Sequence, residues 1–221
     1  MICLVTDRRR LATAIGLPPW EWDRALVQQV EAACDAGVDM VQVREPDLKT
    51  ADLMALVRSL VNVAAGTGSK VLVNDRLDVA LAAHASGVHL KESGFPAQPV
   101  RQMVPQGFLI GCSVHSADAA AARRMADYLI AGTVLPTASK TGVEHLGENG
   151  LQAIVRAAEG VPVLGIGGLG IPSVPLLTSA GAVGLAAVGA FIPAAGEPLP
   201  AFVQKRVTDL RFALESASPH T

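Results

Sequence analysis

Aromatic side chains are scarce in this chain: five Phe, two Trp and one Tyr make up 4% of it. Large rings therefore cannot dominate the core. Small aliphatic side chains must fill it, as expected where helices cover a parallel sheet. Charge is thin as well, at 17% of residues with a formal net charge of −2. Nucleic acid and anionic membrane are not expected as partners, because nothing would draw them electrostatically. Cysteine is limited to Cys3, Cys34 and Cys112. They are widely spaced, odd in number and lack a Cys-x-x-Cys pair, which argues against a disulfide framework or a zinc site. No apolar run long enough to span a bilayer escapes interruption by Gly, Pro or charge. The chain opens directly on Ile2-Cys3-Leu4-Val5-Thr6-Asp7, without a basic and apolar leader. A cytoplasmic protein with no membrane segment is the expectation.

What is present is an alternation. Eight short apolar runs have strand length and aliphatic content: Ile2–Thr6, Met40–Val43, Lys70–Val73, Gly87–Leu90, Leu109–Cys112, Tyr128–Ala131, Val161–Gly165 and Val183–Ala187. Between them lie segments with helical spacing. In Asp23–Ala36, Ala25, Leu26, Val30 and Ala33 share a face and Gly37 is placed to end the helix. Further helices are predicted over Thr50–Ala65, Ala97–Val104, Ser116–Met125, Gly150–Ala158, Pro172–Ala180 and Leu199–Ser216, while Leu77–Ala85 is short and Ala-rich. Eight runs, seven connections and a terminal helix make the count of an α/β fold of one kind, a single (β/α)8 TIM barrel spanning residues 1–215, with a disordered tail over 216–221. An open doubly wound sheet has the same local pattern and is the competitor. Trp20 and Trp22, after Pro18-Pro19, read as a surface cover or helix entry, and that region is also a candidate homodimer patch.

In a parallel barrel, reactive groups gather at the carboxyl ends of the strands, where the loops converge. Ile166-Gly167-Gly168-Leu169-Gly170 follows the seventh run and Val188-Gly189-Ala190 the eighth. Glycine lets backbone N–H groups approach an oxyanion closely, so Gly167, Gly168, Val188, Gly189 and Ala190 form a candidate phosphate site. Tight turns alone would also account for these glycines. His115, two residues past a run, is suited to proton transfer near neutral pH. It equally fits a packing role beside Ser116 as a helix cap. His89 lies within its run and reads as a hydrogen-bonded core histidine. Asn74-Asp75-Arg76 could serve a cation or merely cap the next helix, with Arg76 paired to Asp78 or Glu45. Gln42 and Arg44 share a strand face, and Arg44 could bind a carboxylate. Lys140 sits in a long loop, as a solvated charge or an anion hook.

Taken in order, these stretches resemble a known family. Val5-Thr6-Asp7, Gln42-Val43-Arg44-Glu45, Asn74-Asp75-Arg76, Gly87-Val88-His89-Leu90, Gly111-Cys112-Ser113-Val114-His115-Ser116, Pro136-Thr137-Ala138-Ser139-Lys140 and Gly165-Ile166-Gly167-Gly168 are similar to the thiamine phosphate synthase and thiazole tautomerase superfamily, from first strand to last. The resemblance implies a phosphorylated thiazole as ligand. In its synthase branch it implies magnesium held by acidic residues at Asn-Asp-Arg and again shortly after His-Leu. Here Asp75 keeps the first, but Lys91-Glu92-Ser93-Gly94 puts Gly94 where the second would fall. Ser93-Gly94-Phe95 and Ser113–Ser116 look closer to the tautomerase branch. The expectation is thus a thiazole tautomerase that aromatises a dihydrothiazole carboxylate phosphate with no cofactor and no metal. His115 would be catalytic, and Gln42, Arg44, Asn74, Ser113, Thr137, Ser139 and Lys140 would bind substrate. The alternatives are a magnesium-dependent thiamine phosphate synthase, which the retained Asn74-Asp75-Arg76 keeps open, and a regulator that binds thiazole or thiamine phosphate without turnover.

Overall fold

The computed structural model describes residues 1–137 and 144–217. Eight parallel strands close into one barrel in chain order: β1 (Ile2–Val5), β2 (Met40–Val43), β3 (Lys70–Asn74), β4 (Gly87–Leu90), β5 (Leu109–Val114), β6 (Tyr128–Gly132), β7 (Val163–Ile166) and β8 (Gly184–Ala187). β1 pairs with both β2 (Cys3 opposite Met40) and β8 (Cys3 opposite Ala186), which removes the open doubly wound sheet. The first residue helps to close the ring, since the Met1 carbonyl accepts from the Leu185 N–H.

The core divides as the pleat requires. One set of strand side chains, including Val41, Val43, Val71, Val73, Val88, Ile110, Leu129 and Leu185, meets the helical shell. The alternate set fills the barrel: Cys3, Val5, Met40, Leu72, Tyr128, Ile130, Leu164 and Ala186. These are aliphatic or sulfur-bearing side chains with one ring among them, in line with the aromatic-poor composition. All three cysteines are buried and unpaired.

The shell runs α1 (Arg8–Ile15), α2 (Trp22–Asp35), α3 (Thr50–Ala64), α4 (Leu77–Ala82), α5 (Ala97–Met103), α6 (Ala117–Ala121), α7 (Gly147–Ala157), α8 (Val174–Ser179) and α9 (Leu199–Ala217). Helix α1 was not anticipated, because three successive arginines mask its short apolar stripe of Leu11 and Ala12. Asp7 starts it by accepting from the Arg10 N–H at 3.0 Å, and Gly16 ends it at φ +75°. Helix α6 stops well short of the predicted Met125, whereas α9 continues to Ala217, past the expected start of a tail. Residues 218–221 lie outside the described residues. Trp22 is the first residue of α2; its indole N–H donates to the Leu17 carbonyl, and the Arg8 guanidinium stacks 5.4 Å from its ring. Trp20 is exposed. Among the described residues, no helix is long and apolar enough to cross a membrane.

Candidate active site

At the carboxyl end of the barrel the inward positions change from apolar to polar. Gln42, Asn74, His89 and Ser113 occupy the ends of β2 to β5 on the inner face, one or two residues beyond the apolar filling. They form two linked groups. The Gln42 amide N–H donates to Asn74 Oδ1 at 2.9 Å. The His89 ring bridges the Tyr128 hydroxyl (Nδ1, 3.1 Å) and Ser113 Oγ (Nε2, 2.9 Å). Burial lowers the His89 pKa to about 4, so the ring stays neutral, one nitrogen donating and the other accepting. Burial likewise raises the Tyr128 phenol well above its ordinary range. This is the core histidine expected from its place within a strand. Gln42 Oε1 is buried and has no hydrogen-bond partner, an acceptor left open at the barrel floor.

Around this floor the loops bring up charge. Arg44, just past β2, is exposed, and its backbone N–H is held by Thr6 Oγ1 at 2.9 Å. Asp7 and Glu45 shape the rim. Asp7 caps α1, while buried Glu45 accepts from the Arg8 N–H at 3.1 and 3.3 Å. Burial raises the Glu45 carboxyl to about 7, against the opposing pull of Thr6 and Arg8. After β3, Asp75 takes a positive φ of 63° and receives the Lys91 N–H on Oδ1 at 3.2 Å, while the Lys91 ammonium meets Oδ2 at 2.5 Å. Arg76 pairs with Asp78 at 2.6 Å, and no side chain caps α4, so the helix-cap account of Asn74-Asp75 fails. After β5, His115 is exposed; both its backbone N–H and Nδ1 lie 2.7 Å from Glu92 Oε2. Ser116 caps α6 by accepting from the Ala119 N–H at 3.1 Å.

Opposite β3 and β4, the loops after β7 and β8 are glycine turns. Gly167 (φ +101°) and Gly168 (φ +66°) press on the strand β6 loop: a Cβ at 167 would stand 2.4 Å from Thr133 Cγ2, and one at 168 the same distance from the Pro136 carbonyl. Gly184, at the start of β8, is sterically committed elsewhere, but Gly189 at its end is exposed, flanked by half-buried Val188 and Ala190. A Cβ on Gly189 would be 2.9 Å from Arg10 Nη2. The Arg10 guanidinium therefore lies over this loop, a cation that the sequence reading missed because α1 itself went unrecognised. Thr137 is half-buried in the loop after β6. Ser139 and Lys140 fall outside the described residues.

A magnesium ion, which the resemblance implies for the synthase branch, does not fit these residues. A Cβ on Gly94 would lie 3.2 Å from Asp75 Oδ1, so position 94 is where a second carboxylate would share an ion with Asp75, and it carries none. The Lys91 ammonium occupies the face of the Asp75 carboxylate, and Glu92 is spent on His115. No group of three metal-ligating side chains gathers among the described residues.

A closed (β/α)8 barrel with glycine turns after β7 and β8 and polar strand ends places the chain in the class of single-domain TIM barrels. More particularly, the chain belongs to the thiamine monophosphate synthase family, whose model matches residues 4–191. It is 38% identical over 192 residues to a putative thiamine-phosphate synthase of Geobacter sulfurreducens, covering 86% of this chain and 85% of that one. It is 34% identical over 213 residues to a thiamine-phosphate synthase of Roseiflexus castenholzii, covering 95% and 87%. Its fold superposes on a thiamine phosphate pyrophosphorylase from Pyrococcus furiosus with a TM-score of 0.78 at 29% identity, covering 98% and 96%. These names overturn the expected tautomerase, and with it the isomerase reaction assigned to His115. The physical reason is visible in the motif that suggested it: Ser113 is engaged by His89, Ser116 caps a helix and Glu92 clamps His115. Those side chains have structural partners in this fold, so the motif does not mark a branch.

Proposed function

We propose that this chain is a thiamine phosphate synthase, a transferase that joins a hydroxymethylpyrimidine pyrophosphate to a thiazole phosphate. The similarity to relatives of that name along almost the whole chain carries the reading. In the reaction the thiazole nitrogen forms a bond to the pyrimidine methylene carbon while the bond from that carbon to the pyrophosphate oxygen breaks, and pyrophosphate leaves with the electron pair.

The barrel mouth offers a division of labour that suits two anionic substrates. The backbone N–H groups at Gly167, Gly168 and Val188 to Ala190, with the Arg10 guanidinium above them, suit the single phosphate of the thiazole. The open Gln42 Oε1 suits an amino group on a heterocycle, with Asn74 fixing the amide that carries it. Arg44 and Lys91 line the β2 and β4 side, where positive charge would stabilise a departing pyrophosphate, and His115, held by Glu92, stands beside them after β5. Thr137, with Ser139 and Lys140 following it, is assigned to the same substrate pair. Mixing both substrates with the purified chain, once with magnesium and once with chelator, tests the reading. Thiamine phosphate should form in at least one condition. Its absence from both, in a folded preparation, would remove the synthase assignment.

A further inference from the structure

The corner between β3 and β4 is where the chain departs from the two-carboxylate magnesium site that the resemblance implies for the synthase branch, and the departure is balanced in charge. Two carboxylates and a divalent ion sum to zero; so do one carboxylate and one ammonium. Here Gly94 stands 3.2 Å, measured from the Cβ it lacks, from Asp75 Oδ1, and Lys91 supplies a fixed positive charge 2.5 Å from Oδ2. Residue 91 occupies both oxygens, since its backbone N–H also donates to Oδ1. The Gly94 N–H returns to the Lys91 carbonyl at 3.0 Å, which folds the turn so that the ammonium and the missing side chain address one carboxylate. The neighbouring acid is not in reserve: Glu92 Oε2 receives two N–H groups from His115, and the Glu92 carbonyl is held by Arg123. A dication arriving at Asp75 would have to displace a cation and would gain only one carboxylate, too few hard oxygen ligands for an ion that sheds water reluctantly. The Lys91 side chain is more than half exposed on the mouth side of the pair, so it can be shared with an incoming anion.

We propose that Lys91 is a built-in cation which replaces a resident magnesium ion at this corner and binds the diphosphate of the substrate directly, anchored by Asp75. The proposal rests on the synthase reading for the identity of that anion, but its test uses inorganic pyrophosphate and manganese, which need no turnover.

Manganese titrated into the full chain alone and followed by electron paramagnetic resonance should show no one-to-one site at concentrations up to about 1 mM, the weak end for poorly liganded carboxylate sites. Pyrophosphate, followed by calorimetry in the presence of chelator, should bind the wild-type chain. Lys91→Gln should weaken it by about tenfold or more, the loss of one charge-assisted contact, while Lys91→Arg largely retains it. The double variant Lys91→Gln with Gly94→Asp should gain one manganese site, by restoring the second carboxylate and removing the competing charge. If the double variant does not fold, the wild-type and Lys91→Gln measurements still decide. A manganese site in the wild type below 100 µM, on the order of a moderately liganded site, would overturn the proposal. So would pyrophosphate binding that chelator abolishes or that Lys91→Gln leaves unchanged. If these results hold while no thiamine phosphate forms under any condition, the synthase reading fails and the built-in cation stands.

Discussion

Arg10 illustrates how much a single side chain gains from its surroundings. In the sequence it is the third of three arginines and looks like solvated charge. Asp7 caps the helix that begins at Arg8, and this turns Arg10 onto Gly189 in the loop of the neighbouring strand β8, where a Cβ would stand 2.9 Å from the guanidinium. A side chain so placed adds charge to the backbone N–H groups of the β8 loop. Arg10→Ala should raise KM for the thiazole phosphate by about three- to tenfold, a charged contact discounted for its exposure. Its melting temperature should not change. Steady-state kinetics with the pyrimidine substrate saturating checks this, and an unaltered KM would take Arg10 out of the site. Gln42, Asn74 and Ser113 were legible as candidates because each lies near the end of an apolar run or just past it, but their partners were not: strand register alone decides that Gln42 reaches Asn74 and that Ser113 reaches His89.

At the scale of elements, β4, β5 and β6 act as one unit. Tyr128, the chain's one tyrosine, enters the barrel at the foot of β6 and lies across Gly111 of β5, so that its hydroxyl meets His89 of β4. The glycine is required by that approach: a Cβ at 111 would fall 2.1 Å from the ring. Gly111→Ala should force the ring aside, break the bridge to His89 and cost about 1–3 kcal/mol or more, the usual range for overpacking. Equilibrium urea unfolding of the variant would show it. Wild-type stability would mean that the ring has another place to go. The strands were readable because each is a short aliphatic run ending in polar residues or glycine. Their ends shifted by a residue or two, as with β5, which extends to Val114, because pairing with β6 rather than composition ends the ladder. Helix α1 was unreadable for the opposite reason: its apolar stripe is too short to stand out from its charges.

For the whole molecule, two of the buried titratable groups, His89 and Glu45, pull stability in opposite directions. The His89 pKa is lowered from 6.5 to about 4, so the unfolded chain takes up a proton that the fold refuses, and stability falls as pH drops from 6.5 toward 4. The Glu45 pKa is raised from 4.5 to about 7, so its contribution is full below 4.5 and is lost as pH rises toward 7. Between pH 4.5 and 6.5 the two offset each other. Glu45→Gln removes the falling component, so the stability of that variant should climb more steeply with pH across this window than that of the wild type. Urea midpoints at pH 4.5, 5.5 and 6.5 measure it. Identical slopes would show that Glu45 is ionised throughout in the fold.

The sequence by itself determined the barrel, the strand ends that carry polar groups and the glycine turns after β7 and β8, because these follow from local pattern: short aliphatic runs, helical spacing and residues that tolerate positive φ. Its motifs also reached the right superfamily. The branch of that superfamily did not follow, since serine and histidine at a loop read alike whether they meet substrate or cap a helix. Tertiary structure decided which neighbours those side chains have, bringing together Lys91, Asp75 and the bare position 94 from two strand ends. Closure of the sheet also set Arg10 over Gly189, a contact between the chain's first helix and the loop that follows its last strand.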